Sequence, residues 1–192
     1  MHLTLPVPRS ELTLTSDTHA RSGNPVTPAI PARHGSTRHP GGLAGFNTAP
    51  RPAAEATLLG CCGSLRWAER VAAHRPYPTV DALLAAADEA SYDLSRADLD
   101  EALARESSAA PAAGTPAAAQ TALRAAHAAY ESTFGHAFVI SLDGVHRAER
   151  LDAVLAGIRS RLGNEREEER VVAADELRRL ARSRLTRTVA AP

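Results

Sequence analysis

Residues 64–87 read SLRWAERVAAHRPYPTVDALLAAA, and this stretch decides the fold class. Ser64 is a helix-capping residue standing just before Trp67, Ala68 and Val71, which recur at helical spacing until Pro76-Tyr77-Pro78 stops the run. Thr79 can cap a second run, with Asp81 in its first turn and Leu83, Leu84 and Ala87 on one face. Two short amphipathic helices joined by a proline turn are the expectation.

The same alternation extends in both directions. Upstream, a helix is expected over about Pro52 to Cys62, with proline near its first turn and Gly63 just past its end. Downstream, Ser95 and Asp98 have the spacing of a capping box, which places Leu99, Ala102 and Leu103 on the buried side of a short helix. Residues 107–118, SSAAPAAGTPAA, read as a loop, and a helix over roughly Ala117 to Phe134 ends at Gly135. The run from Ala137 to Ser141 is the one short β-like segment, closed by Asp143-Gly144. A further amphipathic helix spans about Arg147 to Leu162, carrying Leu151, Val154, Leu155 and Ile158. Asn164 is expected to cap the last helix, with Glu165, Glu167 and Glu168 at its start. Arg178, Arg179, Arg182 and Arg184 stand toward its end, an order that suits the helix dipole. The fold class is therefore all-α: a compact bundle of about seven to eight short helices over residues 42–187, with a tail over 188–192.

Residues 1–41 differ in kind. Pro6, Pro8, Pro25, Pro28, Pro31 and Pro40 lie among Ser, Thr, Gly, Arg and His without apolar periodicity, so this extension is expected to be disordered. His2, His19, His34 and His39 fall in it at irregular spacing and read as solvated tail residues rather than metal ligands.

Composition narrows the partners. The 192 residues carry 22 basic and 22 acidic side chains, so no net basic field exists to hold nucleic acid or an anionic membrane. Every one of those basic side chains is Arg, and about one residue in five is Ala, which favours helix. No apolar run approaches the length of a membrane span, and the only cysteines, Cys61 and Cys62, are adjacent, so a reducing, cytoplasmic setting is expected. At the end of a helix the two thiols read as packed side chains, and Trp67 reads as a packing anchor. No phosphate loop, metal-spaced Cys/His set or nucleophile elbow occurs, so nucleotide, zinc and serine-hydrolase chemistry are not expected.

Several blocks carry a more specific signal. Gly45-Phe46-Asn47, Leu58-Leu59-Gly60-Cys61-Cys62-Gly63-Ser64 with Arg66-Trp67-Ala68, and Arg75-Pro76-Tyr77 are followed, in order, by Tyr130-Glu131, Phe134-Gly135-His136-Ala137-Phe138, Arg161-Leu162-Gly163-Asn164 and Glu176-Leu177-Arg178-Arg179. Together these blocks resemble the 2-oxo-4-hydroxy-4-carboxy-5-ureidoimidazoline decarboxylases over about residues 42–187. The resemblance implies an all-α bundle that forms (S)-allantoin in urate breakdown by a cofactor-independent, stereoselective loss of carbon dioxide. It implies a small-molecule ureidoimidazoline substrate, and association into a homodimer through helices.

Such chemistry needs donors for the charge that moves into the ring and an acid or base for the hydroxyl and the final proton. Carried onto this chain, the resemblance gives Arg161 as substrate anchor and the backbone of Phe138, Val139, Ile140 and Ser141 as ring-binding donors. The family's histidine falls near position 106, where this chain reads Arg105-Glu106-Ser107-Ser108, and the loop after it has no acid and only Gln120 as a remnant of a Ser/Glu/Gln segment. Glu106, or His127 on the face leading to Tyr130 and Glu131, is the candidate proton carrier; His136 reads as structural. The same gap supports a second reading, a scaffold that has lost catalysis and serves as a small-molecule or protein binding module.

Overall fold

The computed structural model describes residues 41–190, so all but the last residue of the extension expected over residues 1–41, and the last two residues of the tail, lie outside the described residues. Eight α-helices follow in order: α1 (Gly42–Thr48), α2 (Arg51–Leu59), α3 (Leu65–Ala73), α4 (Val80–Tyr92), α5 (Arg96–Ala104), α6 (Ala117–Phe134), α7 (Arg150–Arg161) and α8 (Arg166–Ala190). A single 3-10 turn over Arg147–Glu149 leads into α7. The all-α expectation holds, and among the described residues there is no strand.

Local chemistry sets the helix ends. The Ser64 hydroxyl accepts from the Trp67 amide at 3.2 Å, and the Thr79 hydroxyl from the Ala82 amide at 3.1 Å. Ser95 and Asp98 form the full reciprocal box. Gly135 closes α6 with φ of 84°, a left-handed conformation that costs a residue with a Cβ but not glycine. Asn164 is an exception to its expected role, because its side-chain amide donates to Glu169 at 2.9 Å instead of accepting from the first turn of α8. The helix expected over Pro52 to Cys62 stops at Leu59, and α1 precedes it as a separate element that no sequence signal picked out.

Two apolar clusters form. The larger gathers side chains of α1 to α5 around α8, with Leu58, Trp67, Leu83, Leu103, Leu177 and Leu185 essentially sealed from solvent. Trp67 sits at its centre, its indole N–H donating to the Ala87 carbonyl at 2.9 Å and to the Ser91 hydroxyl at 3.1 Å. Burial of this kind, at about 25 cal/mol per Å² of apolar surface, is the main stabilising contribution. The smaller cluster joins α6 to α7 through Leu123, Tyr130, Phe138, Val154 and Ile158.

The segment from Ala137 to Ser141 runs between these two clusters. Phe138 turns into the smaller one and Val139 into the larger. Its short apolar run reads as β-like, but Phe138 and Val139 turn to helices on either side, and among the described residues no partner strand lies beside it.

Candidate active site

Glu106 follows the C-terminal end of α5, and its amide donates to the Leu103 carbonyl at 3.1 Å, which continues the last turn and fixes where the side chain departs. The side chain is 9% exposed. Arg184 reaches it from α8, with Nη1 donating to Oε1 at 2.6 Å and Nη2 to Oε2 at 2.8 Å, a two-pronged fork. Nη1 also donates to the Cys61 carbonyl at 3.1 Å, which ties in the end of α2. Glu106, by hydrogen bond and by charge, raises the Arg184 pKa above the ordinary arginine value.

Glycine decides how closely these elements approach. A Cβ at Gly63 would lie 2.8 Å from Cβ of Arg105 and 3.1 Å from the Ala102 carbonyl oxygen, so the end of α5 packs directly on Gly63. The Cys61-Cys62-Gly63-Ser64 block thus positions Glu106 as well as capping α3.

The ion pair stands between surface depressions. Glu106 lines one of about 530 Å³ together with Ser108, Glu131, Gly135, His136 and Ala137. Arg184 lines another with Thr57, Gly60, Cys61, Arg187 and Thr188, and Arg187 also borders a third that contains Ser141, Asp143, Arg179 and Arg182.

The expected substrate anchor, Arg161, occupies a different environment. It is 7% exposed, and its guanidinium donates through Nε to Glu169 at 2.9 Å and through Nη1 to the Val139 carbonyl at 2.8 Å; Nη2 bonds Glu169 and the Tyr130 hydroxyl. Glu169 has no exposed surface. The guanidinium also lies over the Phe138 ring at 4.6 Å from its centroid. Burial pushes the Tyr130 phenol well above its usual range, so it remains a hydroxyl donor to Glu169.

The extended segment is pinned at two points. Arg161 holds the Val139 carbonyl, and Glu176 of α8 accepts from the Ser141 amide at 2.6 Å. Between them the amides of Val139 and Ile140 meet no acceptor among the described residues. Phe138 and Val139 are buried, whereas Ile140 and Ser141 are half-buried.

His127 neither bonds Glu106 nor lines its depression. It is 8% exposed on α6 and packs on Phe138 at 6.3 Å between ring centroids, and its Nε2 is buried without a hydrogen-bond partner. Burial lowers its pKa, with Glu131 opposing more weakly. His136 packs edge-on against Tyr130 and its Nδ1 pairs with the Ala137 carbonyl at 3.0 Å, a structural contact at the border of the Glu106 depression.

Sequence reasoning missed Arg184 and Glu169. Arg184 read as one of several helix-end cations, and Glu169 belongs to a run of acids at the start of α8. The usable signal was burial phase: Glu169, Ala173, Leu177, Ala181 and Leu185 fall on one stripe of α8, which puts Glu169 inside.

The family model of OHCU decarboxylase matches residues 47–186, most of the chain and all of the elements from α2 almost to the end of α8. The chain belongs to the OHCU decarboxylase family. Among solved structures, an OHCU decarboxylase determined in the presence of (S)-allantoin is 22% identical, with a TM-score of 0.59, covering 69% of this chain and 96% of its own. An (S)-allantoin synthase structure is 21% identical, with a TM-score of 0.61, covering 77% of this chain. This chain spans only 54% of the synthase's length. At these identities the two structures show a shared OHCU decarboxylase fold. A comparison with curated protein sequences found no match.

Among the described residues no helix is long and apolar enough to cross a membrane, and no group of three or more His, Cys, Asp or Glu residues is placed to hold a metal ion.

Proposed function

We propose that this chain decarboxylates 2-oxo-4-hydroxy-4-carboxy-5-ureidoimidazoline to (S)-allantoin without a cofactor, in urate breakdown in the cytoplasm. The observation that carries this reading is the Glu106–Arg184 fork, which joins the ends of α2 and α5 to α8 and borders the depression that Gly135, His136 and Ala137 line just before the segment 138–141. Arg184 offers the fork for a carboxylate. The bond from that carboxylate to the ring breaks and carbon dioxide leaves; its electron pair forms the enol double bond to the neighbouring carbon, whose C=N pair passes to the ring nitrogen, and that nitrogen takes a proton from solvent. Glu106 takes the hydroxyl proton and a proton returns to one face of the neighbouring carbon, which sets the (S) centre. The amides of Val139 and Ile140 are donors for charge that develops on the ring, and Arg161 acts on them through the Val139 carbonyl. His127, packed behind Phe138, leaves proton transfer to Glu106.

The experiment is to follow optical activity with freshly generated substrate. Enantiomerically enriched allantoin from the wild type, and a racemate at the uncatalysed rate from Arg184→Ala, is the expected result. Racemic product from the wild type would remove the enzyme reading.

One observation favours the second reading, a binding module without turnover: both candidate guanidiniums are already engaged by the chain's own acceptors, Arg161 by Glu169 and Arg184 by Glu106. Racemic product together with saturable allantoin binding would select it.

A further inference from the structure

The two-pronged pairing of Glu106 with Arg184 places a carboxylate of the chain in the guanidinium fork that faces the site. A fork of this shape recognises one carboxylate at a time, because both of its parallel N–H donors are used by the two oxygens. Glu106 is held at short distances, 9% exposed, beside an Arg184 side chain that keeps 29% of its surface open. The carboxylate borders one depression and the guanidinium another, so a ligand can reach either partner without the backbone opening. Glu106 follows the end of α5, in a stretch of turns and loop from Arg105 to Pro116, so no helix continues beyond it to hold it in the fork.

We propose that Glu106 is an internal competitor for Arg184: an anionic ligand enters by displacing the Glu106 carboxylate from the fork, and this exchange releases Glu106 to face the ring as a base. The exchange conserves charge pairing at Arg184, since one carboxylate replaces another. A ligand carboxylate must therefore outcompete Glu106 for the fork, whereas a neutral ring meets no such competition. The Cys61 carbonyl keeps one Nη1 donor in place throughout, so Arg184 remains oriented while its partner changes. The proposal rests on the reading of this junction as the substrate site, but its central claim concerns only the fork.

The test measures dissociation constants by NMR titration of the full chain with three probes: hydantoin-5-acetate as an anionic ring, allantoin as a neutral ring, and sodium acetate as a carboxylate without a ring. Glu106→Ala and Glu106→Gln are compared with the wild type, and the gain is traced by adding Arg184→Ala to the better-behaved of the two. Glu106→Gln retains the side-chain volume and carries the test should Glu106→Ala fail to fold. The expected result is at least tenfold tighter hydantoin-5-acetate in the Glu106 variants, a change of less than twofold for allantoin, acetate binding detectable only in those variants, and loss of the gain with Arg184→Ala. Unchanged binding of hydantoin-5-acetate and acetate in folded Glu106 variants, or equal tightening for allantoin, overturns the proposal. If acetate gains while neither ring probe binds any form, the competitor stands and the ring-binding reading fails.

Discussion

Arg161 and Glu169, eight residues apart across the turn from α7 to α8, form a buried ion pair in which each partner also holds something else in place. Arg161 fastens the Val139 carbonyl, and Glu169 accepts from Tyr130 of α6 and from Asn164 in the turn. The Arg161-Leu162-Gly163-Asn164 block is therefore a structural knot that fixes one wall of the site. Removing one partner leaves an uncompensated charge inside, so Arg161→Ala and Glu169→Ala should each cost about 3–5 kcal/mol. Denaturant midpoints check this. A loss below about 1 kcal/mol would mean that water reaches the pair.

His127 ties stability to pH. Its folded-state pKa lies below the ordinary imidazole value because burial disfavours the charged ring, so below that ordinary value the unfolded chain binds more protons than the folded one. The contribution of His127 to stability is therefore complete above about pH 6.5 and declines as the pH falls from there through the lower folded value. Thermal melts of wild type and His127→Leu between pH 7.5 and 5 should diverge, the variant losing less. Parallel curves would show that this imidazole does not feel its burial.

Gly63 lets the end of α5 settle against the turn after α2. A methyl group there would meet Arg105 and the Ala102 carbonyl oxygen, so Gly63→Ala should push that end away and cost about 1–3 kcal/mol. Ligand affinity at the Glu106 depression should fall along with stability, since Glu106 departs from the same turn. A variant with unchanged stability and affinity would show that α5 has slack.

The two thiols report on opening. Both are free and 2% exposed, and burial pushes Cys62 up to about 11, with Cys61 also raised. Alkylation at neutral pH should be slow in the native protein and fast in denaturant, and its denaturant dependence should track the loss of helical signal. Rapid native alkylation would contradict the packing around α2 and α8.

Fold class was legible because caps and breakers are local chemistry. Ser64, Thr79, Ser95 and Gly135 each do at their helix end what their residue type suggests. The site was legible only in part. Glu106 and the segment 138–141 stand out in the sequence as candidate positions, but the partner of Glu106 lies 78 residues away, and nothing in the neighbourhood of Arg184 separates it from Arg178, Arg179 or Arg182. Those neighbours pair with Asp88, Asp175 or Glu176 instead. Which arginine meets which acid is set by helix packing, and that information is long-range. Arg161 reads as an anchor for the same reason: a guanidinium in a recognisable block looks identical whether it serves a ligand or the chain itself.

Helix α8 brings Glu169, Glu176 and Arg184 to three separate tasks along one uninterrupted rod. Each residue turns the rod by about 100°, so one amino acid inserted or deleted between Glu169 and Arg184 would swing everything beyond it by more than a quarter of a circle. The knot, the clasp on Ser141 and the fork could not then all find their counterparts. This helix acts as a ruler, and its length between those marks should tolerate point changes far better than any change in count.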